Sequence, residues 1–279
     1  MFDIDDSAAL PVQVKVTVRD EEAIGDTRNI EVEQGRRLLQ ATTGQPKWCI
    51  SFLSLLVKLC GRIMSELQEL KERVAGVSNN IHHLKIDDKL LKRYLTAFRS
   101  VSEAYKRILE TDRWRGEFGA AKLTSEIPGV KRIHNTQICT ILEERDRKGR
   151  PVVVVSVRNH SFQNRNMDDM TKYIVYTLDS LCARCQEDGL DNTCIVFDMR
   201  DFSLTCMDYP ATRKLFQIMS DHYPERLGSC LIVNSPYLFN ACWMIISTWI
   251  DENTASKIKF VKSEELSPYI DRDILPKDL

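Results

Sequence analysis

Three short apolar runs that do not alternate with polar residues constrain this chain most: 151–157 (PVVVVSV), 193–198 (TCIVFD) and 229–234 (SCLIVN). A strand with one wet face alternates apolar and polar side chains, so runs like these are covered on both faces. Helical stretches are predicted over 167–186 (closed by Gly189), 209–223 and 237–246. Residues 257–261 (KIKFV) supply a fourth strand, and the turn Asp146-Arg147-Lys148-Gly149-Arg150 leads into the first. Strands and helices in this rhythm imply βαβ units and a largely parallel sheet, so the predicted fold class is α/β.

The texture upstream is different. From Met64, residues Glu66, Leu67, Leu70 and Val74 have helical spacing. Asp87-Asp88 then precedes a second helix carrying Leu90, Leu91, Tyr94, Leu95 and Phe98, with acids where a helix N-terminus favours them. A third follows Ser100 or Ser102, with Ala104, Tyr105, Ile108, Leu109 and Trp114. The predicted division is therefore a helical unit at 64–118 and an α/β domain at 127–279, preceded by an extension at 1–63. Residues 1–35 of that extension hold nine acids against three bases, a net of −6. Val12, Val14, Val16 and Val18 alternate with polar residues as a strand would, and a turn near Gly25-Asp26 with residues 30–32 closes a hairpin. Two strands alone are marginal in water, so a hairpin and a disordered acidic tail are both compatible with this segment.

The chain has 39 Lys and Arg against 40 Asp and Glu, a net charge of −1, so it offers no overall basic field to nucleic acid. Its longest nearly uncharged runs, around 48–60 and 241–250, fall short of the ~20 apolar residues of a spanning helix. The first lies too far from Met1 for an ordinary signal peptide, and the start is acidic. Nine cysteines, an odd number, are unevenly spaced, and Cys194, Cys230 and Cys242 sit in apolar runs. Thiols used as small core residues fit a reducing compartment, the cytoplasm by default.

An α/β sheet invites a nucleotide, but neither G-x-G-x-x-G nor G-x-x-x-x-G-K-[ST] follows any predicted strand. A hydrolase triad from Asp198, His222 and Ser235 lacks its elbow, because Pro236 removes a backbone N–H that an oxyanion hole would use. Cys206 and Arg213 are one residue too far apart for a cysteine-phosphatase loop. Cys182-x-x-Cys185 lies within a predicted helix with no second pair at ligand distance, and His82-His83 is remote. These residues read as packing. No catalytic residue, metal ligand or cofactor is assigned.

The remaining features are apolar and electrostatic. Residues 241–250 (ACWMIISTWI) carry no charge and are bulky on all sides. Such a helix is buried all round, covers an apolar cavity, or touches a membrane interface. Residues 89–115 hold eight cations against three acids. Of these, Lys89, Lys92, Arg93, Arg99, Lys106 and Arg107 are predicted to face an anionic membrane surface.

In chain order, Leu90-Leu91-x-Arg93-Tyr94-Leu95, Trp114-Arg115, Asp146-x-x-Gly149-Arg150-Pro151-Val152 and Tyr223-Pro224-Glu225-Arg226-Leu227-Gly228 are followed by Asn234-Ser235-Pro236, Ala241-x-Trp243, Thr254-x-x-Lys257-Ile258 and Leu275-Pro276. In this succession the chain from about Glu66 onward resembles the CRAL-TRIO lipid-binding family, of the cellular-retinaldehyde-binding and phosphatidylinositol-transfer type. The resemblance implies a small helical unit packed on an α/β domain whose mixed sheet floors a hydrophobic lipid pocket. It places Phe197, Ile232, Ala241, Trp243, Met244, Ile245, Trp249 and Ile250 in the pocket and its movable gate, and a lipid headgroup on Glu225, Thr254 and Lys257. The implied function is gated transfer of a phosphatidylinositol or of a tocopherol-, retinoid- or sterol-like lipid between membranes. The alternative is a lipid-sensing scaffold that moves nothing. Ser247-Thr248-Trp249 stands where many relatives carry a proline, and Phe98 where phosphoinositide exchangers often carry a base. The Gly-Gly usual after the final Leu-Pro in the family is missing, as in a shortened isoform or at a gene-model end. Met64 reads as the shared start and residues 1–63 as an added or mispredicted exon.

Overall fold

The computed structural model describes residues 47–187, 191–276 and 279. The strand and hairpin expected within 12–32 lie outside the described residues. The chain divides into one unit over Met1–Arg62 and another over Ile63–Leu279. Helix α1 (Lys47–Ala75) begins in the first and ends in the second, so helix starts well before Met64.

In the second unit, Leu67, Leu70 and Val74 of α1 pack with Leu90, Leu91 and Tyr94 of α2 (Asp88–Phe98) and Val101, Ala104 and Ile108 of α3 (Val101–Phe118). One of the two acids and one of the two serines picked out in the sequence act as caps: Asp87 accepts the Leu90 N–H at 2.7 Å and Ser100 the Glu103 N–H at 3.1 Å. Gly119 closes α3 with φ +71°, a conformation that only glycine takes without strain.

The α/β region runs α4 (Pro128–His134), β1 (Cys139–Arg145), β2 (Pro151–Ser156), α5 (Met167–Glu187), β3 (Thr193–Asp198), α6 (Tyr209–His222), β4 (Leu227–Val233), α7 (Phe239–Ile246), α8 (Glu252–Ser256) and β5 (Ile258–Val261). The strands lie in the order β1-β2-β3-β4-β5. β1 is antiparallel to β2 and every later neighbour is parallel, so the sheet is mixed and the fold α/β, as predicted. β1 is the strand the sequence reading missed. Its hairpin with β2 is closed by buried Asp146, which accepts the N–H groups of Lys148 and Arg150 at 3.0 and 2.8 Å and the Arg150 Nε–H at 2.6 Å.

Strand order fixes where the helices go. When parallel strands are added always on the same side with right-handed crossovers, the connecting helices fall on one face. Val153 and Ile195 accordingly meet Leu181 of α5 on that face. Val152, Val154, Cys194, Val196, Leu231 and Val233 point the other way, onto Leu266, Ile270 and Leu275 of the C-terminal segment. Both faces are covered, which is why the strands read as unbroken apolar runs. The helical unit packs outside α5 and α6, where Trp114, Phe118 and Ala120 meet Val175, Leu178, Cys182 and Ile218.

Candidate functional site

The helix-bearing face of the sheet is not filled solid. A cavity of about 130 Å³ lies over β3 and β4, walled by Phe197, Ile232, Cys230, Phe216, Met219 and Leu227 and covered from α7 by Phe239, Trp243 and Ile246. Beside it is a second chamber of about 170 Å³, over β2 and β3, lined by Val153, Val155, Ile174 and Leu178 among others. The two share Val157, Ile195, Phe197, Cys206, Thr212 and Leu215 as walls. Their linings are overwhelmingly apolar. The polar lining residues are few, among them Thr177, Thr212, His160 and the carboxylate Asp208, which caps α6 through the Ala211 N–H at 3.0 Å and binds Arg165 and His160. Burial raises its pKa, but the Arg165 and Ala211 hydrogen bonds outweigh this and hold the carboxyl below its usual range.

α7 covers the first chamber with one side and turns the other outward. Trp243 stands edge-on to Phe260 with centroids 5.0 Å apart, and Phe239 to Phe202 at 5.4 Å. Cys242 and Ile246 are buried, whereas Met244 is 73% exposed and Ile245 47%. Of the residues expected in the pocket, Phe197, Ile232 and Trp243 line it; Ala241, Met244 and Ile245 do not, because helical geometry sends them to the opposite side. The sequence reading missed Phe239 and Ile246 on the same helix, and Leu215, Phe216 and Met219 on α6. Their signal was the apolar spacing of α6, whose inward side only the neighbouring sheet defines.

A third cavity, of about 400 Å³, adjoins the first through Phe216, Met219 and Leu227 and has polar as well as apolar walls. It brings together Glu225, Thr254 and Lys257, with Trp249, Ile250 and Phe98 in the same wall. Lys257 Nζ donates to Glu225 Oε2 at 3.2 Å and Asn253 Nδ2 to Glu225 Oε1 at 3.1 Å. Thr254 Oγ1 donates to Asp251 Oδ2 at 2.7 Å, while Asp251 Oδ1 accepts the Thr254 N–H and caps α8. The Phe98 ring has the Arg107 guanidinium 5.3 Å from its centroid, a cation–π contact.

The predicted basic face needs one correction. Lys89, Lys92, Arg99 and Lys106 are exposed, and Arg107 is half-buried and paired with Glu103 at 3.0 Å. Arg93 is instead buried and paired with Asp191 at 3.0 Å, because it shares the inward side of α2 with Leu90 and Tyr94. Residues read as packing have packing partners. Asp198 binds Arg200 at 2.6 and 2.8 Å, and His222 stacks on Trp114 with centroids 3.7 Å apart. Cys182 and Cys185 are buried, and burial pushes the Cys182 thiol up to about 12. Asn234 has φ +54° and binds Ser263 from both ends of its amide, which ties the end of β4 to the C-terminal segment.

A helix-covered apolar floor beside a polar cavity defines a binding fold. The family model for the CRAL/TRIO domain matches residues 135–279, and the chain belongs to that family. It is 30% identical over 201 residues to a CRAL-TRIO domain-containing protein, C3H8.02, of Schizosaccharomyces pombe, covering 68% of this chain and 45% of that one. It is 28% identical to the phosphatidylinositol transfer protein CSR1 of Eremothecium gossypii, over 77% of this chain and 53% of that one. Against the Sec14 cytosolic factor of Schizosaccharomyces pombe the figures are 25%, 70% and 74%. The chain thus spans about half the length of the first two of these relatives. The crystal structure of Sfh5 superposes with a TM-score of 0.62 at 17% identity, covering 71% of this chain and 80% of that one, a likeness of fold. Among the described residues, no helix is long and apolar enough to cross a membrane.

Proposed function

We propose that this protein binds a hydrophobic lipid in the two apolar chambers and exchanges it with membranes by movement of α7. The observation that carries this reading is the pair of adjoining apolar chambers, the first of them beneath an uncharged helix. Exposing a lipid chain to water costs ~0.8 kcal/mol per CH₂, and an apolar enclosure removes most of that cost. Chambers of about 130 and 170 Å³ are small for a two-chain phospholipid, since a cavity of about 150 Å³ takes only a benzene-sized molecule. A larger ligand therefore requires α7 to swing away. That helix is held by the side chains of Phe239, Cys242, Trp243 and Ile246 and has no side-chain cap at its start, which favours such a movement.

In this reading Glu225, Thr254 and Lys257 receive the polar end of the ligand. The Lys257 ammonium meets a phosphate as a point charge, and Glu225 and Thr254 take hydroxyl groups. A headgroup bound here would replace the ion pair between Lys257 and Glu225. A phosphatidylinositol fits this polar end, and a tocopherol-, retinoid- or sterol-like molecule would use the chambers alone. Exposed Lys89, Lys92, Arg99 and Lys106 attract an anionic membrane at ~1 kcal/mol each near the surface, and Met244 and Ile245 enter it shallowly. The site of action is then a membrane surface visited from the cytoplasm. Residues 64–118 and 127–279 work as one lipid-binding body, with 1–63 added to it. Vesicle-to-vesicle transfer of fluorescent phosphatidylinositol tests the reading. Transfer that rises with protein concentration supports it, and binding without transfer assigns the chain to the scaffold class instead.

A further inference from the structure

Apart from the chambers, a cavity of about 260 Å³ lies between the helical unit and helices α5 and α6, with Lys85, Arg93, Arg115, Asp179 and Arg226 in its wall. Arg93 and Arg226 are both buried, at 9% and 7% exposed, and they share one carboxylate. Asp191 accepts from Arg93 at 3.0 Å and lies 3.7 Å from the Arg226 guanidinium. Arg115 is matched by Asp179 in a two-pronged pair at 3.0 and 2.9 Å. With Lys85 at the exposed rim, and Asp87 acting on Arg93 beside Asp191, four cations face three carboxylates among the described residues. A buried charge without a full counter-charge usually sheds its proton, and arginine cannot. Burial, and then repulsion from Arg226, pull Arg93 below its ordinary range. Each guanidinium also carries five N–H donors, more than its contacts to Asp191 use.

We propose that this cavity is an anion site for a phosphate group, held by the forks of Arg93 and Arg226 and reached past Lys85. The site is independent of the lipid reading. It sits back to back with the polar cavity: Tyr223 and Pro224 line both, and the turn sends Glu225 into one and Arg226 into the other. Calorimetric titration of the full chain with inorganic phosphate, at constant ionic strength against chloride, tests it. Saturable binding is expected, weakened about tenfold in Arg226→Gln and about threefold in Lys85→Gln. The exposed Lys85 substitution covers the case in which Arg226→Gln fails to fold. Asp191→Asn removes the competing carboxylate and is expected to tighten binding about threefold, the opposite of what a purely structural ion pair predicts. A second arm uses phosphatidylcholine vesicles with and without phosphatidylinositol 4-phosphate. If only these vesicles respond to the substitutions, the anion is a lipid headgroup; if inorganic phosphate also responds, it is a free phosphate. Equal behaviour of wild type, Lys85→Gln and Asp191→Asn in both arms overturns the proposal.

Discussion

Glu225 adopts φ +55°, a left-handed conformation rare outside glycine, and it does so at the turn that aims its carboxylate at Lys257 and Asn253. Strain of this kind, of order 1–3 kcal/mol, persists where the surroundings over-determine it, and such positions cluster at binding sites. The turn is fixed by Arg226, whose N–H bonds the Tyr223 carbonyl at 3.3 Å and whose guanidinium bonds the Asp191 carbonyl at 3.0 Å. Lys257→Gln is expected to lower phosphatidylinositol transfer about tenfold or more. Its partly exposed ion pair with Glu225 contributes only about 1 kcal/mol to stability, so the fold should survive. Thermal unfolding beside the transfer assay separates the two effects. His222 carries a pH signature. Burial pulls its pKa down to about 4, against an ordinary value near 6.5, so the folded state favours the neutral ring stacked on Trp114. That contribution is fully present above pH 6.5 and is lost as pH falls through 4, because the unfolded chain binds the proton first. After allowance for its partial exposure it amounts to on the order of 1 kcal/mol. His222→Phe keeps a stacking ring without a proton site, so urea denaturation at pH 7 and pH 5 should give a smaller loss on acidification than in wild type. An equal loss in both proteins places the acid sensitivity elsewhere.

Among the elements, α7 divides its labour by face, with Phe239, Trp243 and Ile246 over the chamber and Met244 and Ile245 outward. Met244→Asp puts a charge on the outward face without touching the chamber. It is expected to weaken binding to phosphatidylserine vesicles several-fold in a sedimentation assay while leaving the unfolding midpoint unchanged. Unchanged vesicle binding would remove α7 from the membrane contact. The sequence made the strands legible because burial on both faces leaves an unbroken apolar run, as at Val152–Val155 against Cys194–Phe197. It hid β1 because an edge strand keeps polar residues, here Thr140, Glu143 and Glu144, and owes its pairing to the Asp146–Arg150 turn. It placed Arg93 on the wrong side of α2 because counting charges along a segment says nothing about helical phase. Leu90 and Tyr94, one turn apart, mark the inward side, and Arg93 lies beside it. The gathering of Glu225, Thr254 and Lys257 in one cavity came from the order of family motifs, since no local pattern links the end of α6 to the start of β5.

For the whole molecule, the topology carries the argument. Strands added in one direction leave all the connecting helices on one face, and the C-terminal residues Leu266, Ile270 and Leu275 close the other. One side of the sheet is thereby covered by that segment, while the other floors two chambers, the first beneath α6 and α7 and the second beneath α5 and α6. The most direct measurement is mass spectrometry of organic extracts from the purified chain, run beside Thr212→Phe, whose ring would fill the wall that the two chambers share. About one lipid per chain is expected for wild type, and a sharp loss of it in a Thr212→Phe protein that unfolds at the wild-type temperature or above. A folded wild-type chain that carries no lipid and takes none from vesicles would contradict the proposal that these chambers exist to hold one.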